Sequence, residues 1–169
     1  QMQQLEKGAI ANPDENQMVG HYWLRNPALA PTEKIQTQIK NTLDKIQLFA
    51  ADIHQKNIKP QKSTHFRNVL SLGMGGSALG PQLIHSTLCQ KTEPMRFYFI
   101  DNTDPDGIDR AIASIGKDLA ETLILIISKS GGTLETRNAM IEVREYFRRA
   151  GLNFARHAVA ITGENSQLA

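Results

Sequence analysis

Apolar and polar positions follow two alternating rhythms along residues 66–161. Short apolar runs bounded by glycine, proline or polar residues predict buried β-strands, and the stretches between them repeat apolar residues at helical spacing. Because strand–helix–strand connections build parallel sheets with right-handed crossovers, the sequence predicts an α/β fold with a parallel sheet flanked by helices. The predicted strands are 66–72, 95–100, 122–127 and 155–161, and the predicted helices are 78–90, one opening at Pro105, and one that follows the loop after 127 and ends at 148–151.

The first 60 residues follow a different pattern. Residues 1–30 are polar and interrupted by prolines, which predicts irregular structure. Apolar residues then recur at helical spacing from Ile35 to Ile53, which predicts one long helix that ends before Pro60. The sequence therefore predicts an N-terminal helical segment, 1–60, that packs on a main domain, 61–169. We expect the long helix to cover the sheet; the alternative is an interaction helix.

A loop rich in hydroxyls and glycines follows the third predicted strand. The apolar run 124–127 leads into Ser128, Ser130 and Thr133, with two glycines between the last two, and a predicted helix begins at once. The first turn of a helix leaves backbone N–H groups without partners and carries partial positive charge. Hydroxyls and close backbone approach at the glycines complete an anion site. The loop therefore predicts a phosphate cradle; the alternative is an ordinary helix start.

A second glycine-rich loop follows the first predicted strand. Gly73, Gly75 and Ala78 match the loose dinucleotide pattern G-x-G-x-x-G/A, and Asp101 ends the next strand, where a ribose-binding acid would lie. Two observations argue against dinucleotide binding. A dinucleotide fold needs no second phosphate loop after the third strand, and Asp101 opens the turn-rich acidic run 101–106, where turn and capping roles are simpler.

The spacing of the other candidate residues does not match the motifs of several other kinds of site. The chain lacks the P-loop pattern G-x-x-x-x-G-K-[ST]. Ser77 misses the hydrolase pattern G-x-S-x-G at its last position, so it is not predicted to be a nucleophile. The five histidines show no metal-ligand spacing, and no metal site is predicted. Cys89, inside a predicted helix, is expected to be a core residue.

Composition and charge limit the classes of partner that we expect for this protein. The 169 residues are 40% apolar and 21% charged, which is typical of a globular protein, and the net charge of +2 comes from scattered basic residues. Nucleic acid is therefore not expected as a partner. No apolar run reaches the length of a membrane span, and 1–4 lacks a secretory signal. One cysteine excludes an internal disulfide, so we expect a cytoplasmic protein without a membrane contact.

The two loops together resemble the glucose-6-phosphate isomerase family and, more broadly, the sugar isomerase (SIS) domain. The stretches 73–81 and 128–136 agree with that family in order and spacing, as does 101–105 between them. The resemblance implies a flavodoxin-like three-layer sandwich over residues 65–169. Many family members carry an aromatic residue in a threonine-rich second loop, whereas the Gly131–Gly132 pair resembles a bacterial subgroup. The residues implied in sugar phosphate binding are Gly76, Ser77, Ser128, Lys129, Ser130, Thr133 and Thr136.

The resemblance also implies an activity, the interconversion of glucose 6-phosphate and fructose 6-phosphate in glycolysis and gluconeogenesis, without a cofactor. It implies a small-molecule sugar phosphate as the partner and a homodimer of the full-length protein. The catalytic Glu, Arg, His and Lys of the family are expected beyond residue 169, and no motif assigns such a role to Glu121, Glu135 or Arg137. Because the chain starts without Met and 166–169 close no element, we expect a piece of a longer polypeptide. The alternative is a non-catalytic SIS module that senses a phosphosugar.

Overall fold

The structure, a computed structural model, describes residues 1–14, 16–89 and 93–169. Contacts between residues group the chain into two compact units, Gln1–His54 and Gln55–Ala169. No helix among the described residues has the length and the apolar character that a membrane crossing requires. The packing of the N-terminal segment on the main domain stays a prediction.

The N-terminal unit contains more regular structure than the sequence predicts for residues 1–30. Asn12 and Pro13 lead into a turn between two short antiparallel strands, and the Asn16 N–H donates to the Pro13 carbonyl. Trp23 is buried and its Nε1–H donates to the Glu6 carbonyl at 2.9 Å. The expectation of wholly irregular structure was wrong because these turns and this anchor order short elements. They are α1 (Met2–Glu6), β1 (Ile10–Asn12), β2 (Gln17–Met18), α2 (His21–Arg25) and a 3-10 turn (Pro27–Leu29).

The predicted long helix is confirmed as α3, Glu33–His54. The Thr32 hydroxyl accepts the Ile35 N–H, which starts the helix in the manner of an N-cap. Its apolar residues recur along one side, but Leu43 and Ile46 are exposed within the N-terminal unit.

The second unit contains the four-stranded parallel sheet that the sequence predicts. Its strands lie in the order β4–β3–β5–β6. Gly73 at the end of β3 pairs in register with Ile127 of β5, and Thr162 at the end of β6 pairs with Ser128. The elements are β3 (Asn68–Gly73), α4 (Gly76–Leu88), β4 (Arg96–Ile100), α5 (Pro105–Ile115), a 3-10 helix (Gly116–Glu121), β5 (Thr122–Ser128), α6 (Leu134–Arg149), a 3-10 turn (Phe154–Arg156) and β6 (Ala158–Thr162).

Helices lie on both faces of this sheet. The chain moves one way from β3 to β4 and the opposite way from β4 to β5, and right-handed connections then put α4 on the face opposite α5 and α6. Helices α5 and α6 pack on each other and on the sheet. The predicted three layers are therefore confirmed. The core lies on the α5–α6 face and contains Leu70, Leu72, Ile108, Ile112, Ile124, Ile126, Val143 and Phe147 among its residues.

Three local predictions differ from the structure. Gly76 and Ser77 belong to the first turn of α4 rather than to the preceding loop, because the Ser77 N–H already bonds the Met74 carbonyl. The fourth strand starts three residues later than predicted, at Ala158, because Asn153 caps a 3-10 turn. Cys89 is exposed just after α4, so the expectation of a core residue was wrong. The predicted helix end at Gln90 lies outside the described residues.

His157 is a buried residue that packs and forms hydrogen bonds at the edge of the sheet where the strands begin. It is 1% exposed and packs edge-on against Phe66 and Phe147. Its Nε2 accepts the Gln61 N–H at 3.4 Å, which leaves Nδ1–H to donate to the Thr122 carbonyl at 3.0 Å. Burial lowers the pKa of His157 below its ordinary value, so the ring is neutral in the folded chain at pH 7.

Candidate functional site

Two side-chain hydroxyls join the ends of the loop that follows β5. Ser128, the last residue of β5, is 2% exposed, and its Oγ lies 3.0 Å from the Oγ1 of Thr133, the residue before α6. The Gly131 N–H donates to the Ser128 carbonyl at 3.2 Å, which tightens the turn inside the loop. We call residues 128–133 the serine loop. Its ends are held together by these contacts.

Helix α6 begins directly after the serine loop, and the side chain at its N-cap position makes no capping hydrogen bond. Thr133 occupies the N-cap position, but its hydroxyl contacts Ser128 instead of a helix N–H. The first-turn N–H groups of a helix have no partners within the helix and carry partial positive charge. An anion placed at this end of α6 would therefore meet unsatisfied donors.

Thr136 lies in the first turn of α6 and is 1% exposed. Within the described part of the chain its Oγ1 is the one buried side-chain oxygen or nitrogen without a hydrogen-bond partner. A buried polar group left unsatisfied costs about 1–3 kcal/mol. Such a hydroxyl beside an uncapped helix start is an unusual arrangement for a purely structural residue.

The other predicted residues of the serine loop face different surroundings. The Ser130 Oγ accepts the Gly132 N–H at 3.2 Å. Lys129 is exposed, and its carbonyl oxygen accepts the Gly163 N–H at 3.1 Å. Both interpretations of its ammonium, a partner of the phosphate or a solvent-facing charge, remain predictions. Glu135 is exposed in the first turn of α6, where an acid interacts favourably with the helix dipole.

We call residues 73–77 the glycine loop; they join the last residue of β3 to the first turn of α4. Gly75 has φ +52°, a conformation that favours glycine, and it is the N-cap of α4. A Cβ at Gly73 would lie 2.8 Å from the Ser77 carbonyl oxygen, so the strand end and the helix start approach too closely for any side chain. Gly76 is exposed and Ser77 is half-buried, both in the first turn of α4.

The two loops lie at the same edge of the sheet on neighbouring strands. Strands β3 and β5 pair in parallel, and the glycine loop and the serine loop leave from their carboxyl ends. The chain also changes direction across the sheet between these two strands. Ligands of open parallel sheets bind outside the carboxyl ends of the strands at such a switch point. The topology thus brings the predicted site residues to one edge.

The acidic run after β4 has structural partners. The Asp101 carboxylate accepts hydrogen bonds from Gln82 Nε2 at 2.9 Å and from Asn102 Nδ2 at 3.0 Å. Asp104 caps α5 by accepting the Gly107 N–H at 3.0 Å. The capping role predicted for Asp104 is confirmed, whereas the Asp101 carboxylate bonds two side chains and caps no helix. No group of three or more potential metal ligands occurs among the described residues.

A family model described as phosphoglucose isomerase matches residues 1–169. The chain belongs to the phosphoglucose isomerase family. Two relatives illustrate the similarity. A glucose-6-phosphate isomerase of Desulfitobacterium hafniense (strain Y51) is 58% identical over 99% of the chain and 32% of its own length. Glucose-6-phosphate isomerase 1, chloroplastic, of Arabidopsis thaliana is 57% identical over 99% of the chain and 28% of its own length.

A solved phosphoglucose isomerase structure supports the fold as well as the family. The crystal structure of a glucose-6-phosphate isomerase from Chlamydia trachomatis matches with a TM-score of 0.78 and 26% identity over 99% of the chain. The predicted SIS-type fold is thereby confirmed. The chain spans about a third of the length of these relatives, 32% for that structure. The binding roles of the seven predicted residues stay predictions.

Sequence analysis missed one part of this edge. The sequence does not predict that Gly131 and Ser166 touch. A Cβ at Gly131 would lie 2.7 Å from the Ser166 Oγ. The signal available in the sequence was the pair Gly131–Gly132 itself, since a glycine with restricted space around it implies a close neighbour.

Proposed function

We propose that this chain is the phosphate-binding part of an aldose–ketose isomerase that interconverts glucose 6-phosphate and fructose 6-phosphate. Family membership supports the reaction, because the curated relatives carry the name glucose-6-phosphate isomerase. The observation that carries the local role is the Ser128–Thr133 contact, which leaves the start of α6 open to an anion beside the glycine loop. We further propose a homodimer in the cytoplasm as the working form.

The chemistry of the reaction separates phosphate binding, which we assign to this chain, from the proton-transfer steps, which we do not. Moving a proton between neighbouring carbons needs a base, a group that stabilises the enediolate oxygens, and an acid or base that opens the sugar ring. We assign none of these roles to residues 1–169. The chain holds the phosphate through Ser128, Ser130, Thr133 and the α6 N-terminus, with Ser77 along the sugar. Binding energy from the phosphate then fixes the reacting carbons against catalytic groups supplied from outside these residues.

The experiment compares two polypeptides, the 169-residue chain and a polypeptide of the relatives' full length that includes it. A coupled assay for conversion of fructose 6-phosphate should show turnover only for the longer polypeptide. An NMR titration of the 169-residue chain with glucose 6-phosphate should shift the amide signals of residues 128–136. Turnover by the short chain would refute the division of labour.

Two further results would refute the proposal in different ways. Amide signals of the serine loop that do not move with glucose 6-phosphate would exclude the anchor. Binding without turnover in the full-length polypeptide would instead indicate a phosphosugar sensor. Size measurement and fractionation of the full-length protein test the proposed dimer and its cytoplasmic location.

A further inference from the structure

The turn after β6 folds back onto the serine loop. We call residues 163–168 the closing turn. The Ser166 N–H donates to the Gly163 carbonyl at 3.2 Å, and Asn165 has φ +60°, which reverses the chain direction. The turn starts directly after Thr162, which pairs in register with Ser128. It therefore lies at the same edge of the sheet as the candidate site.

The closing turn touches the serine loop at two points. The Gly163 N–H donates to the Lys129 carbonyl at 3.1 Å. At Gly131, which has φ +68°, an ideal Cβ would lie 2.7 Å from the Ser166 Oγ and 2.8 Å from the Ser166 Cβ. These distances are shorter than real Cβ contacts, so the Gly131 backbone rests directly against the Ser166 side chain. The closing turn thus contacts the middle of the serine loop, at Lys129 and Gly131, whereas the Ser128–Thr133 contact joins its two ends.

Ser166 is itself firmly held. Its Oγ lies 2.6 Å from the Thr162 Oγ1 and accepts the Leu168 N–H at 3.2 Å. Leu168 is half-buried and packs against the hydrophobic core. The Ser166 hydroxyl therefore bonds the end of β6 and the backbone that follows, and the same side chain packs against Gly131. A side chain tied at these points can limit how far the loop moves.

We propose that Ser166 is a positioning residue for the phosphate anchor, an inference that rests on the proposed function. Ser166 holds Gly131 in place, and Gly131 fixes the spacing between Ser130 and Thr133. Donors that are already placed for an anion bind it more tightly than donors that must be ordered first, because ordering costs conformational entropy. Ser166 therefore acts on affinity for the phosphate group without touching it.

The test uses the full-length polypeptide with Ser166→Ala. Losing one hydroxyl network should raise the KM for fructose 6-phosphate about three- to tenfold. The inhibition constant of inorganic phosphate should rise by the same factor, because inorganic phosphate shares only the phosphate contacts. The value of kcat should stay within about twofold, since the catalytic groups are elsewhere. Ser166→Thr, which keeps the hydroxyl, should restore both constants.

Two variants separate positioning from folding. Glu164→Ala changes an exposed residue of the same turn and should leave KM and the phosphate inhibition constant unchanged. Thr162→Val removes the hydroxyl that bonds Ser166 but keeps a strand-favouring side chain. It should raise both constants in the same direction as Ser166→Ala, and it provides the test if Ser166→Ala does not fold.

The outcomes distinguish this inference from the proposed function. A lower melting temperature with unchanged KM and unchanged phosphate inhibition would overturn the positioning role and leave the isomerase proposal intact. A change in kcat alone would overturn it as well. If the unmodified polypeptide shows no turnover, the isomerase proposal fails, and direct phosphate binding measured by calorimetry still compares Ser166→Ala with the unmodified protein. Equal phosphate affinities there would refute the inference.

Discussion

The hydroxyls of Ser128 and Thr133 lie 3.0 Å apart and connect the last residue of β5 to the residue before α6. This contact uses the hydroxyl that would otherwise cap the helix. The N-terminus of α6 therefore keeps its donors for a ligand, while the loop that leads into it stays closed. A single hydrogen bond thus serves the loop and the proposed anion site together.

Replacing Ser128 should weaken substrate binding more than it weakens the fold. In the full-length polypeptide, Ser128→Ala removes a hydroxyl of the proposed phosphate site, and hydrogen bonds to charged groups contribute about 1.5–3 kcal/mol. We expect the KM for fructose 6-phosphate to rise about tenfold or more. Ser114→Ala is the matched control, because Ser114 is exposed on α5 and bonds only the Arg110 carbonyl in its own helix. Equal KM values for the two variants would contradict the anchor.

Replacing Thr136 should affect the stability of the chain and its affinity for phosphate differently. Thr136→Val removes a buried hydroxyl that has no partner among the described residues, so the chain without ligand should be as stable as before or more stable. Phosphate affinity should nevertheless fall if that hydroxyl serves the ligand. Urea unfolding and phosphate titration measure the two effects on the same sample.

Thr122→Val is the matched control for Thr136. Thr122 is also fully buried, but its hydroxyl donates to the Asp118 carbonyl at 3.0 Å. The substitution should lower the free energy of unfolding by about 1–3 kcal/mol, because the Asp118 carbonyl loses one of its donors and the buried Asn68 amide loses an acceptor. A loss of stability in Thr136→Val as large as in Thr122→Val would mean that the Thr136 hydroxyl has a structural partner.

Gly131→Ala should destabilise the chain. The new methyl group would meet the Ser166 Oγ at 2.7 Å, and φ +68° is unfavourable for alanine by about 1–2 kcal/mol before any clash. Gly132→Ala is the neighbouring control, since the nearest atom to its added Cβ would be the Gln167 Oε1 at 3.8 Å. Thermal unfolding should therefore show a clearly larger loss for Gly131→Ala. Similar melting temperatures would contradict both the left-handed backbone of Gly131 and its close contact with Ser166.

His157 should make the stability of the chain depend on pH in the acid range. Burial holds its pKa below the ordinary value of 6.5, so below about that pH the unfolded chain binds a proton that the folded chain does not. Stability is therefore fully present above pH 6.5 and falls as the pH drops, with a slope of at most about 1.4 kcal/mol per pH unit. Unfolding free energies measured by urea titration between pH 5 and pH 8 test this.

His157→Asn should reduce that slope while it lowers stability at every pH. Its amide can still donate to the Thr122 carbonyl but cannot take up a proton. An unchanged slope in His157→Asn would assign the acid sensitivity to other groups.

Sequence patterns predict the strands of the sheet well, because each strand is a short apolar run that can be recognised without knowing its neighbours. Leu70, Leu72, Ile124 and Ile126 are buried in strands found from apolar runs alone. The serine loop is equally visible, since hydroxyls, glycines and a helix start follow one another in sequence. The expectation that Cys89 is a core residue was wrong because α4 ends at Leu88 and the residue after it is exposed.

Contacts between distant segments could not be predicted in this way. The approach of Ser166 to Gly131 depends on β6 pairing beside β5, and the partners of His157 come from residues far apart in the chain. Short elements of the first 30 residues depend on an anchor, Trp23, that contacts Glu6. Local propensity carries no information about such pairings.

The order β4–β3–β5–β6 has a consequence for synthesis on the ribosome. Strand β3 pairs with β4 on one side, yet its other neighbour is β5, which emerges only after α5. A nascent chain that ends before Thr122 would carry the glycine loop but no serine loop opposite it. Phosphate bound at the proposed anchor could therefore favour the folded state only after strands β3 and β5 and helix α6 have all left the exit tunnel.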